Sequence, residues 1–351
     1  MHEKTWMRSS SFRFDNRKSK IQNRKWAGLF AIVVALTACG AVASAQQPGK
    51  IFRIGFLDSS SASGIAVLTE AFRQELSKFG WIEGKNIAIE YRFAEQKPER
   101  LPELAADLVR LKVNLIVAVG RAPVFAAKNA TTTIPIVMTG FPDPVGEGLV
   151  ASLARPGGNV TGFSNLAGEL ASKRLEILKD TVPKLTRVGV MRQAGGPGGG
   201  FQVLSYLRAA APALKLILED IESEADGKGL ENAFRTAKQK QVGALVIGGG
   251  LRFFAERKRI VELAGKHRLP AIYPYEKYVD EGALMFYGTD DADLHRRAAV
   301  YVDKILKGAK PADLPVQQAM KFEFIINLKA AKQIGLTIPV RVLERANQVI
   351  K

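Results

Sequence analysis

Apolar residues along this chain follow two alternating rhythms. Ile51 to Leu57 is a short strand-like run ending in Asp58-Ser59-Ser60-Ser61; beyond it Ile65, Leu68, Phe72, Leu76 and Phe79 recur at helical spacing until Gly80 stops the pattern. The unit then repeats. Strands are predicted at Ile87 to Tyr91, Leu115 to Val119 and Ile134 to Thr139, with helices around Leu101 to Leu111 and Pro123 to Asn129 between them. A second series follows Val160-Thr161-Gly162-Phe163. It reads as helix Leu170 to Leu178, strand Arg187 to Met191, helix Phe201 to Ala211, strand Leu216 to Glu219, helix Leu230 to Lys240 and strand Ala244 to Ile247. A helix over Ala255 to His267 and strands Ala271 to Tyr273 and Leu284 to Tyr287 complete it.

Strands that are apolar throughout and alternate with helices imply parallel sheets covered on both faces. Two such series in tandem predict an α/β fold of two doubly wound parallel-sheet lobes. A long helix, Asp293 to Leu306, and a strand-helix tail from Phe322 to Lys351 follow. Each lobe is therefore expected to take segments from both ends of the chain. Residues 46–163 with about 288–320 form one lobe, and 164–287 with about 321–351 the other. Three crossovers result, with hinges near Gly162 to Asn165, Tyr287 to Gly288 and Gln318 to Phe322.

The first 45 residues change the picture. Eight Lys or Arg precede an uncharged stretch from Ala27 to Ala45, the pattern of a secretory signal. Ala43-Ser44-Ala45 suits cleavage after Ala45, whereas Leu36-Thr37-Ala38-Cys39 suits lipidation at Cys39; an uncleaved anchor is a third reading. All three put the body outside the cytoplasm, in the periplasm. Cys39 is the only cysteine, so a chain cut after Ala45 has no disulfide, thiol nucleophile or thiolate metal site. The net charge of +17 falls to about +11 without this segment, and its basic residues are interspersed with acids, which argues against nucleic-acid binding.

Ligands of open parallel sheets sit beyond the carboxyl ends of the strands. In the first lobe that selects Asp58, Ser59, Ser60, Gly120, Arg121, Ala122, Phe141 and Asp143, with Asn165 at the first hinge. Arg121 at a helix start suits a ligand carboxylate, and Asp143 between two prolines suits a ligand ammonium or an ordinary turn. The second lobe contributes Arg192, Gln193, Gly248, Gly249, Tyr275 and Glu276. Arg192 is a second carboxylate partner, Tyr275 a stacking ring, and the glycines permit close backbone approach. Together, Arg121, Phe141 and Tyr275 suggest a carboxylate ligand with a planar or apolar side chain. No phosphate loop or dinucleotide fingerprint follows a strand, and no cofactor is expected. His267 and His295 lie inside helical patterns without HExxH or GxSxG companions, so nothing selects an enzyme or a metal site.

Several segments are similar to one known family: RIGFL at Arg53 to Leu57, LPELAADLV at Leu101 to Val109, IPIV at Ile134 to Val137 and DPVGEGLVASLARPGGNVTG at Asp143 to Gly162. KRLEILK at Lys173 to Lys179, RRAAVYVDKILKGAKPADLPV at Arg296 to Val316 and NLKAAKQIGLTIP at Asn327 to Pro339 extend the likeness along the whole exported part. These resemble ABC-transporter substrate-binding proteins of the tryptophan/tyrosine-type group. The resemblance implies a type I periplasmic-binding fold, a small ligand in the interlobe cleft, and a partner permease with a cytoplasmic ATPase. The membrane is then met only through that permease or a lipid on Cys39. Where relatives commonly carry an Asn-Pro type loop, this chain has Met191-Arg192-Gln193-Ala194-Gly195-Gly196-Pro197, so a relative's ligand does not transfer. A sensor that presents its closed cleft to a membrane receptor is the alternative reading.

Overall fold

The structure, a computed structural model, describes residues 51–194 and 199–351. The expected export segment and residues Gly195-Gly196-Pro197 lie outside the described residues. The first series forms β1 (Phe52–Asp58), α1 (Ala66–Lys78), β2 (Ile87–Phe93), α2 (Leu101–Arg110) and β3 (Leu115–Val119). It continues through α3 (Arg121–Ala130), β4 (Ile136–Phe141) and β5 (Val160–Ser164). The second comprises α4 (Ala167–Thr181), β6 (Arg187–Gln193), α5 (Gly199–Ala210), β7 (Ile217–Ser223), α6 (Gly227–Gln239) and β8 (Ala244–Ile247). After it come α7 (Leu251–Ala255), α8 (Arg257–Lys266), β9 (Ala271–Tyr273), α9 (Lys277–Asp280) and β10 (Met285–Thr289). The tail holds α10 (Asp291–Leu306), β11 (Gln317–Gln318), β12 (Phe322–Asn327), α11 (Leu328–Ile334), α12 (Val340–Leu343) and β13 (Gln348–Ile350).

Two sheets result, ordered β2-β1-β3-β4-β5-β11 and β7-β6-β8-β9-β10-β12-β13. Each begins with the same doubly wound order, so each has a switch point where neighbouring crossovers leave to opposite faces: between β1 and β3, and between β6 and β8. The first sheet is parallel throughout, and β10 against β12 is the antiparallel pair of the second. The chain passes between sheets three times, after β5, after β10 and after β11. These passages are bonded to one another: Asp290 N–H donates to Lys321 O at 3.0 Å, and Ala319 N–H to Ser164 O at 2.8 Å.

The cores explain the periodicities. Phe72 and Leu76 on α1 are fully buried in one cluster with Ala298, Ala299 and Val302 of α10, which therefore packs on the first sheet's side. Each such buried side chain contributes roughly 1.5–3 kcal/mol. Where β5 crosses β4, Gly162 has φ +131°, and a Cβ there would lie 2.1 Å from Met138 O. Only glycine lets the two backbones approach this closely.

Some boundaries differ from the sequence reading. β7 extends to Ser223 because its acids are paired: Asp220 and Glu222 face Arg192, and Glu219 faces Arg187, across an edge ladder that hides the apolar alternation. The helix expected over Ala255 to His267 is α8, which starts at Arg257, and the short helix α7 precedes it across Glu256. α10 begins at Asp291, two residues earlier than expected, because the Asp290 carboxylate caps it by accepting from Asp293 N–H at 2.8 Å.

Candidate functional site

The loops at the two switch points carry most of the residues singled out above. Asp58 ends β1 and Gly120 follows β3; Gln193 ends β6 and Gly248 follows β8. Asp58 is only 4% exposed and accepts from Ser60 N–H at 2.6 Å and from the Ser60 hydroxyl at 2.5 Å. Burial pushes its carboxyl up, the Ser60 bonds and the nearby His295 pull it down, and Asp291 raises it again. Ser59 is buried, with its carbonyl accepting from Gln96 N–H at 2.7 Å. Gly120 takes φ +78° at the start of α3, where its own N–H is spent on Thr139 O at 2.8 Å.

The start of α10 brings a second acid beside the first. Asp291 is exposed to solvent yet flanked by protein on several sides, so burial raises its carboxyl while a 2.9 Å bond from the Thr289 hydroxyl lowers it. His295, one turn on, donates from Nδ1 to Asp291 O at 2.7 Å, leaving Nε2 buried without a partner. Burial keeps this ring neutral by lowering its pKa. The exposed Glu276 also feels Asp290 and Asp291, and burial is the main cause of its raised carboxyl. Asp58, Asp291 and Glu276 thus share one electronegative region between elements of both sheets.

Tyr275 stands in that region. Its ring meets Phe254 edge-on at 5.6 Å and lies parallel to Tyr278 at 6.5 Å. Burial raises its hydroxyl, Asp291 adds to that, and Arg174 and a bond from the Gly250 backbone oppose it. A Cβ on Gly249 would come within 2.9 Å of the Tyr275 oxygen, so the glycines leave room for this ring. Gly248 N–H is held by Met191 O at 2.8 Å, and a Cβ on Gly250 would meet Gln193 Oε1 at 3.1 Å.

Other chosen side chains are engaged elsewhere. Arg121 donates from Nε to Glu147 at 2.5 Å and lies over the Phe125 ring at 4.8 Å. With Ala122 it borders a depression of about 380 Å³ lined by α2, α3 and the turn before α2. Phe141 has no exposed surface and packs edge-on to Phe125, so it contributes its carbonyl, bonded by Asn165 N–H at 3.1 Å, rather than a ring for a ligand. The Arg192 fork is closed on Asp220 by bonds of 2.7 and 2.9 Å, which leaves it a cross-strand clasp in place of an open carboxylate partner. Asp143 accepts from Gly146 N–H at 2.8 Å, the geometry of a turn, and its charge is felt by Tyr206 of α5.

Three residues escaped the sequence reading. Thr139 Oγ1, like the Oδ1 of Asn165, is buried without a partner near the carboxyl ends of β4 and β5. Asp291 gave no signal beyond a common helix-start acid. Arg174 did give one: it sits between Leu170 and Leu178 on the apolar stripe of α4, where a charge is out of place. It is 6% exposed, donates from Nε to Tyr287 O at 2.7 Å, and burial lowers its pKa to about 10. Among the described residues no group of His, Cys, Asp and Glu could hold a metal ion, and no helix is long and apolar enough to cross a membrane.

Known proteins carry the same architecture. A tyrosine-binding protein from Clostridioides difficile (strain R20291) is 29% identical over 76% of each chain. A conserved domain protein from Vibrio cholerae superposes with a TM-score of 0.78 at 26% identity, covering 86% of this chain and all of the other. An ABC domain in complex with L-Trp from Streptococcus pneumonia gives 0.76 at 24% identity over the same shares, a likeness of fold. These are periplasmic-binding-type folds, in agreement with the two-sheet architecture. Such proteins bind a small molecule outside the cytoplasm and work with an ABC transporter. The model of the ABC transporter substrate binding proteins matches residues 60–350, nearly all of the described chain, and the protein belongs to that family.

Proposed function

We propose that the ligand of this substrate-binding protein is an aromatic amino acid, tyrosine or tryptophan in type, held between the two lobes. One observation carries the reading: Asp291 of α10 comes close enough to Asp58 of β1 to raise its carboxyl, and it acts on Tyr275 as well. Two carboxylates attract an α-ammonium, and an aromatic wall beside them suits a flat side chain. Unpartnered Thr139 Oγ1 and Asn165 Oδ1 add polar contacts at the first sheet's ligand end. Ser59, Ser60, Gly120, Gln193, Gly248 and Gly249 complete the wall in this reading, with Glu276 at its rim. The name of the Clostridioides relative agrees with it.

Capture then follows from lobe closure: a ligand that binds the closed form better than the open one shifts the population by its differential affinity. The closed protein docks on a permease driven by a cytoplasmic ATPase. Export through the N-terminal segment, with cleavage after Ala45 or lipid on Cys39, is part of the proposal; mass spectrometry of the mature N-terminus distinguishes the two. The decisive experiment is a thermal-shift and calorimetry panel of L-tyrosine, L-tryptophan, L-alanine and L-glutamate. At 100 times Kd a native-state ligand adds roughly 2.7 kcal/mol of stability. Stabilisation by an aromatic member well above the others is the expected result, and no response to either aromatic amino acid overturns the reading.

A further inference from the structure

Arg174 presents an electrostatic imbalance that folding alone does not explain. The other partly buried arginines of the described residues, Arg92, Arg121, Arg187, Arg192, Arg257, Arg259, Arg296 and Arg297, each have a carboxylate within 4.0 Å. Arg174 is more buried than these and has none among the described residues; its single protein hydrogen bond is the one from Nε to the Tyr287 carbonyl. Taking such a charge out of water without an anion costs several kcal/mol, and a methionine of similar length would fill the same space without that cost.

The direction of the side chain locates the missing partner. Side chains on a helix lean toward its N-terminus, so Arg174 reaches toward the first turns of α4, the end that follows the passage from β5. There Tyr275 lies close enough to feel its charge, and the same tyrosine also feels the opposite charge of Asp291. Because Nε is committed to Tyr287, the free edge is the pair of terminal amines, which matches the two oxygens of a carboxylate. Asp291 also acts on Tyr275, so a zwitterion with its carboxylate on Arg174 and its ammonium toward that acid satisfies both signs, whereas a dianion such as phosphate satisfies one.

We infer that Arg174 is the anion anchor of the cleft, gripping the ligand carboxylate end-on while Tyr287 of β10 braces its Nε. The inference rests on the cleft assignment above but names the group that completes it. Binding there neutralises a charge that the ligand-free protein leaves unpaired, so affinity and ligand-free stability are set against each other at this position.

Three proteins test it: wild type, Arg174→Met and Arg174→Lys, each by thermal melting without ligand and by calorimetry with L-tyrosine, tyramine and inorganic phosphate. The anchor requires that Arg174→Met melts no lower than wild type, loses at least 100-fold in affinity for L-tyrosine, and changes less than threefold for tyramine, which lacks the carboxylate. Arg174→Lys should recover part of the loss, and phosphate should bind none of them measurably. A ligand-free melting point several degrees lower in Arg174→Met makes the residue a structural brace and overturns the inference. Equal losses for L-tyrosine and tyramine, or phosphate competing with L-tyrosine in wild type, also overturn it. If wild type binds neither amine, the aromatic assignment fails by itself. Arg174 is then judged on the ligand-free melting comparison and on whether benzoate and acetate stabilise wild type but not Arg174→Met.

Discussion

Arg121 and Glu147 meet at 2.5 Å across 26 residues of sequence, with the glutamate side chain 12% exposed and the arginine 33%. The pair ties the start of α3 to the long β4–β5 connection through Glu147 Oε2, while Oε1 is buried with no hydrogen-bond partner. Removing the arginine therefore strands a buried acid, the more expensive half of the pair. Arg121→Ala should lower stability by about 1–3 kcal/mol, with Arg121→Ala/Glu147→Gln recovering part of it, in a double-mutant cycle read by urea unfolding. If Arg121→Ala leaves stability intact and weakens L-tyrosine at least 30-fold, the guanidinium belongs to the ligand and not to Glu147.

A pH dependence follows from the two acids. Burial holds the carboxyls of Asp58 and Asp291 above their ordinary value of 3.8. Between that value and the raised one the native state binds more protons than the unfolded chain, so these groups make ligand-free stability increase as pH falls through the window. An ammonium ligand needs the carboxylates ionised, and its affinity should decrease over the same window. Asp291→Asn should thus raise the ligand-free melting point at pH 7, weaken L-tyrosine at least tenfold, and flatten both profiles. Melting curves and calorimetry between pH 4 and 7 decide; an affinity independent of pH in wild type and unchanged in Asp291→Asn would remove these acids from the site.

At Gly162 a methyl group meets backbone rather than a movable side chain. The φ of +131° disfavours any L side chain, and the new Cβ would fall 2.1 Å from Met138 O. Strained backbone costs of order 1–3 kcal/mol, and overpacking about as much again, so Gly162→Ala should cost at least about 2 kcal/mol in urea unfolding. Gly227→Ala, with nothing within 4 Å of its Cβ and no positive φ, is the control and should change stability by less than about 0.5 kcal/mol. Similar losses at both would mean that the β4–β5 approach relaxes easily.

Local pattern sufficed for the architecture. Buried strands such as Leu115–Val119 and amphipathic helices such as Ala66–Lys78 announce themselves by spacing within a dozen residues, and their alternation dictates two doubly wound sheets. Glycines and serines after strand ends were equally legible as loop positions at the carboxyl edge of each sheet. Only tertiary structure decided which charges were free. Arg192 was an open fork in sequence until Asp220, 28 residues away, arrived on the adjacent strand; Arg121 was open until Glu147 did. Arg174, overlooked as one basic residue in a helix, had its Nε taken by Tyr287 from 113 residues away and its terminal amines left over. Periodicity is a property of neighbours along the chain, whereas charge pairing and desolvation depend on neighbours in space.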